Sequence, residues 1–152
     1  MAFRGCKNLA VVKFGSGLQT LGRAAFAHSS LEKIWLPETL KKLEDNTFSN
    51  CENLWQVNFA EGLEVIGSSC FECSGIKEIS FPGSLKIIGD RVFYGCSQLR
   101  KVAVPEENRL ESAGARVFAG VCDDLQLVNF RIFVDLQRTE FDETIIQWTF
   151  DL

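Results

Sequence analysis

The sequence predicts a β-rich solenoid of about six stacked turns, 22–25 residues each, with one parallel sheet face. Three observations carry this prediction: a recurring phenylalanine, an apolar six-residue pattern after each one, and Pro or Gly at the ends of those patterns. Phe3, Phe26, Phe48, Phe71, Phe93 and Phe118 recur at intervals of 23, 22, 23, 22 and 25 residues. Each is followed by a large aliphatic residue: Leu9, Leu31, Leu54, Ile76, Leu99 and Leu125.

That aliphatic opens the pattern LxxVxF, in copies such as Leu31/Ile34/Leu36, Ile76/Ile79/Phe81 and Leu125/Val128/Phe130. The end of each copy alternates apolar with mostly polar, the period of a half-buried strand. Gly15, Pro37, Pro82 and Pro105 follow and turn the chain. A second apolar pair comes next, as in Leu40/Leu43, Leu63/Ile66 and Leu85/Ile88. Gly22, Gly67, Gly89 and Gly114 then sit where a tight corner is expected to need positive φ. The fifth copy carries two extra residues between Pro105 and Leu110, expected to bulge as a loop. A unit this short cannot bury its own apolar residues. Stacking at about 4.8 Å per turn aligns equivalent residues into columns that together form a core.

The string FSNCENLWQVNFAEGLEVIGSSCFECSGIKEISFPGSLKIIGDRVFYGCSQL resembles the BspA-like, or Treponema-type, leucine-rich repeat, whose pattern is Phe-x-x-Cys-x-x-Leu-x-x-Ile-x-Phe/Leu-Pro-x-x-Leu-x-x-Ile-Gly. The resemblance runs over about residues 2–131. It implies a leucine-rich-repeat solenoid with a sheet on one face, and a family whose better-known members look like surface or secreted binders of host or matrix proteins. The expected organisation is a solenoid over 1–131 and a capping or partner-contacting segment over 132–152, where Trp148 and Phe150 alternate on one face.

Composition narrows the function. A net charge of -4 gives no electrostatic reason to expect nucleic acid, and no apolar run approaches a membrane span. The six cysteines invite a disulfide or metal reading. Counted back from each Leu or Ile, however, Cys6, Cys51, Cys73, Cys96 and Cys122 form one column, with His28 in the second copy. Cys70 falls in another column, so Cys70-Phe-Glu-Cys73 arises from two repeat positions. Reduced thiols packed as small apolar residues are expected. With a single histidine and no phosphate loop, no catalytic residue, metal site or cofactor is expected.

The outward face of the strands remains. One column is expected to read Val11, Lys33, Gln56, Glu78, Lys101, Leu127, and the other Lys13, Trp35, Asn58, Ser80, Ala103, Asn129. Trp55 should lie near Trp35 on the adjacent turn. Tryptophan is enriched in binding hot spots, so Trp35, Trp55, Lys33, Lys13, Val11 and Asn58 form the candidate contact surface for a protein partner. The alternative is an architectural subunit, or part of a longer repeat chain. It would dock through an uncapped first turn (Phe3, Leu9, Val12) and through Trp148 and Phe150 in the tail.

Overall fold

The computed structural model describes residues 1–128. Among these residues, ten short strands alternate between two parallel sheets. The wider sheet holds β2 (Lys33–Trp35), β4 (Gln56–Asn58), β6 (Glu78–Ser80), β8 (Lys101–Ala103) and β10 (Gln126–Val128). The narrower sheet holds β1 (Thr20–Leu21), β3 (Lys42–Leu43), β5 (Val65–Ile66), β7 (Ile87–Ile88) and β9 (Ser112–Ala113). The first turn joins the wider sheet through a bridge from Val11 to Lys33. Trp148, Phe150 and the 132–152 segment lie outside the described residues.

The narrow sheet is a second sheet beside the one sheet face that the sequence predicts. The second member of each second apolar pair is the last residue of one of its strands, and strands of two residues carry too little alternation to be told from a turn. Leu43, Ile66 and Ile88 point inward from it and are buried, while Lys42 and Ile87 point out.

The third side of each turn has no strand, yet it is hydrogen-bonded just as regularly. The amides of Phe26, Phe48, Phe71 and Phe93 donate to the carbonyls of Thr47, Cys70, Val92 and Val117 in the following turn, at 2.8–3.0 Å. The arm bends because residues two before and two after each Phe adopt left-handed φ. The first set is Ala24, Asn46, Ser69, Arg91 and Arg116; the second includes His28, Asn50, Cys73, Gly95 and Gly120. Six phenylalanine rings stack along this arm, centroids 5.2–5.7 Å apart and planes within 10°. Phe48, Phe71 and Phe93 are fully buried, each worth about 1.5–3 kcal/mol over an exposed ring.

In three further places the structure departs from the sequence expectation. Gly67 and Gly89 are not at positive φ. They are needed because a Cβ there would stand 2.6 Å from the backbone nitrogen of Asp45 or Ser68 in the turn before. Gly114 is crowded in the same way against Asp90, whereas Gly22 has only Glu44 Oε2 at 3.9 Å. The corner amides are capped between turns: Asp45 Oδ1 accepts from Ser68 N at 2.9 Å and Asp90 Oδ1 from Ala115 N at 2.8 Å.

The cysteine column also shifts. The loop from Phe to Leu is one residue shorter in the second and fourth copies, so counting back from Leu slips by one there. Counted from Phe, the column reads Cys6, Ser29, Cys51, Ser74, Cys96. Cys73 and His28 belong instead to the left-handed column with Asn50 and Gly95.

The sixth strand is displaced by one residue as well. Leu127 pairs with Val102 and turns inward, while Val128 pairs with Ala103 and faces out. A one-residue slip exchanges the faces of every side chain in a strand. The long fifth corner does loop out, closed by Asn108 Nδ2 donating to Pro105 O at 2.8 Å.

Gly89→Ala is expected to cost about 1–3 kcal/mol through backbone overlap. Gly15→Ala, with nothing within 4 Å of the added methyl, is expected to be neutral or to stabilise by up to about 1 kcal/mol. Urea unfolding of the two variants measures both; equal midpoints would contradict the close-approach explanation.

Candidate protein-binding surface

The wide sheet sets its outward residues in three columns, one more than expected. In LxxVxF two residues separate the inward Leu from the inward Val, and both face solvent. The added column runs Ala10, Glu32, Trp55, Lys77, Arg100, hydrogen-bonded in that order: Trp55 N donates to Glu32 O at 3.0 Å and Arg100 N to Lys77 O at 2.7 Å. Lys77 and Arg100 were missed as candidates, although the double gap in LxxVxF contained the signal.

Four of the candidates meet as paired neighbours. Trp35 is paired in register with Asn58, and Val11 with Lys33. Trp35 is 53% exposed and makes no ring or cation contact among the described residues. Trp55 is 39% exposed and held: Lys33 Nζ lies 4.5 Å from its ring centroid and Lys77 Nζ 5.8 Å. The two ammonium groups, from the turns before and after, constrain the indole by cation–π attraction. Lys33 and Asn58 are half-buried; Val11 and Lys13 are exposed. Lys13 shares the column of Trp35 and makes no cation–π contact with it among the described residues.

The first-turn candidates sit apart from this face. Phe3 is exposed and stacked on Phe26 at 5.2 Å, and Leu9 and Val12 are partly buried against the core.

Three of the thiols, Cys51, Cys70 and Cys96, are buried. All six are free. Cys51 Sγ donates to Phe26 O at 3.1 Å, so the Ser29 hydroxyl at 3.4 Å is the donor to that sulfur. Two turns on, Cys96 repeats this with Phe71 O at 3.1 Å and Ser74 Oγ at 3.3 Å. Alternation with serine sets the column's cysteines two turns apart, roughly 10 Å, beyond the reach of a disulfide. Burial pushes the Cys96 thiol up to about 11 and raises Cys51 and Cys70 as well, against the lowering effect of their hydrogen bonds. Cys6, Cys73 and Cys122 are only half-buried, which departs from a fully hidden set; Cys73 stands in the bent arm and Cys122 in the longest Phe-to-Leu loop.

Among the described residues no three His, Cys, Asp or Glu side chains are grouped to hold a metal ion. No helix among them is long and apolar enough to cross a membrane.

The pattern of the BspA type leucine rich repeat region matches this chain in 6 copies over residues 1–100. Among solved structures, a leucine-rich repeat protein from Bacteroides ovatus superimposes with a TM-score of 0.73 at 29% identity, over 83% of this chain and 33% of that one. A leucine-rich repeat protein of T. pallidum shares the fold, with a TM-score of 0.64 at 24% identity over 72% of this chain and 51% of that one. The chain thus spans between a third and about half of the length of these two proteins. Comparison with curated proteins gives no match.

At pH 8 a bulky thiol reagent is expected to modify Cys6, Cys73 and Cys122 of the folded protein well before Cys51, Cys70 and Cys96, which should react at the rate of unfolding. Because burial holds the folded Cys96 thiol above its ordinary value of 9.0, at about 11, its contribution to stability is complete below about pH 9 and is lost as pH rises toward 11. Cys96→Ser should flatten this alkaline loss in pH-dependent unfolding. Uniform labelling of all six thiols in the folded state would contradict the burial pattern.

Proposed function

Since this chain belongs to the family of BspA-type leucine-rich repeats, a repeat fold suited to protein binding, we propose that it is a non-catalytic protein-interaction module whose contact surface is the outward face of the wide sheet. The observation that carries this reading is Trp35, a large aromatic held by β-sheet pairing, more than half exposed and engaged by no other ring or cation among the described residues. An apolar side chain with no structural duty on a rigid strand is available to a partner at little entropic cost. Trp55, pre-positioned between Lys33 and Lys77, adds a second aromatic to the same face, and Asn58, Val11 and Lys13 border the pair. Leucine-rich-repeat proteins of this kind are generally non-catalytic.

Trp35→Ala is expected to leave the thermal midpoint within about 2 °C, as befits a surface change, and to weaken partner binding by about 1–3 kcal/mol. A photo-crosslinking residue at position 35 should capture a protein from the native source, whereas one at Ser112 on the narrow sheet should not. Capture from Ser112 alone, or a large stability loss in Trp35→Ala, would refute the proposed surface.

A further inference from the structure

The chain carries a net charge of -4, but the face around the two tryptophans has the opposite sign. Its three columns hold five cations, Lys13, Lys33, Lys77, Arg100 and Lys101, against two carboxylates, Glu32 and Glu78. The ion pairs of the described residues lie elsewhere: Lys42 with Glu44, Lys86 with Glu64, and Arg91 with Glu72. None of the five cations of this face is neutralised within 4.0 Å among the described residues. What sets this face apart is its excess of cations over carboxylates in adjoining columns, two of the cations, Lys33 and Lys77, lying over the Trp55 ring.

The arrangement is also ordered. Lys77 and Arg100 follow Trp55 in one hydrogen-bonded column, with Lys101 beside Arg100 on β8. Successive charges therefore stand about one turn, roughly 5 Å, apart. Acidic side chains on alternate residues of an extended chain lie roughly 7 Å apart, close enough for flexible Lys and Arg side chains to meet each of them.

We infer that the partner of this face is an acidic, extended protein segment: its carboxylates pair with Lys77, Arg100 and Lys101, and an apolar side chain beside them rests on Trp35 or Trp55. This rests on the reading of the sheet as the contact surface and adds the chemistry of what it contacts. A protein segment fits better than a nucleic acid or sulfated glycan. Glu32 and Glu78 interrupt the basic columns, and Glu38, Glu61, Glu106 and Glu107 line the corner just beyond the strands. A uniform polyanion would meet these carboxylates, while a mixed sequence can place apolar or basic residues opposite them.

The test uses the full chain and an array of fluorescent 12-residue peptides, each with one central Leu or Trp and from zero to six Asp or Glu. Binding is measured by anisotropy, with heparin and single-stranded DNA as competing polyanions. Affinity is expected to rise with acidic count, to fall steeply with added salt, and to drop at least about tenfold in K77E/R100E. It should be unchanged in K41E/K42E on the narrow sheet, and circular dichroism of both variants should match the parent. Failure of every acidic peptide to bind at low salt would overturn the inference, as would binding indifferent to K77E/R100E. Heparin or DNA binding more tightly than the best peptide would overturn it in favour of a polyanion site. If the crosslinker at position 35 captures a protein whose binding survives K77E/R100E, the acidic-partner inference fails while the sheet-face reading stands.

Discussion

Everything in this protein answers to one constraint, the fixed step between successive turns set by parallel backbone hydrogen bonding. The step is enforced on all three sides: by the wide sheet, by the narrow sheet, and by the Phe-arm amides that donate to the next turn at 2.8–3.0 Å. At roughly 4.8 Å per step, each side chain lies directly over its counterpart. The phenylalanine stack, the leucine columns and the alternation of cysteine with serine are consequences of that superposition. So are the corner glycines, since a Cβ at Gly67 or Gly89 would fall on the backbone of the turn before.

The same constraint separates structure from function along the chain. Inward columns are restricted to residues that tolerate an identical or similar neighbour on both sides, which is why Phe, Leu, Ile and Val recur there. Left-handed positions restrict the backbone and leave the side chain free, so Asn50, Cys73 and Gly95 occupy equivalent places. Outward columns of the wide sheet face neither restriction, and there the repeats diverge: Glu32, Trp55, Lys77 and Arg100 are structurally equivalent. Chemical individuality in a solenoid collects where stacking makes no demand, and here it has collected as two tryptophans with cations around them that have no ion pair among the described residues.

Periodicity made the strands, the Phe column and the inward LxxVxF residues legible from the sequence, because burial imposes an identity that repeats. The features that stayed hidden are those in which one residue decides the outcome. The two-residue strands of the narrow sheet are too short to show a period. The Phe-to-Leu loop varies in length, so counting from Leu assigned Cys73 and His28 to a thiol column that counting from Phe gives to Ser29 and Ser74. In the last copy a similar slip turned Leu127 inward and Val128 outward. Of the surface, Trp35 was legible as an outward strand residue. The grip of Lys33 and Lys77 on Trp55 was not, since it depends on the turns above and below meeting over one ring.

The claim that all three sides of the turn carry the step, including the side without strands, is open to direct measurement by amide hydrogen exchange. The account predicts that the amides of Phe26, Phe48, Phe71 and Phe93 exchange as slowly as those of the wide sheet and through the same global opening. Rapid exchange at these four amides, beside protected strands in the two sheets, would show the Phe arm to be a loop draped over the core and would contradict the account.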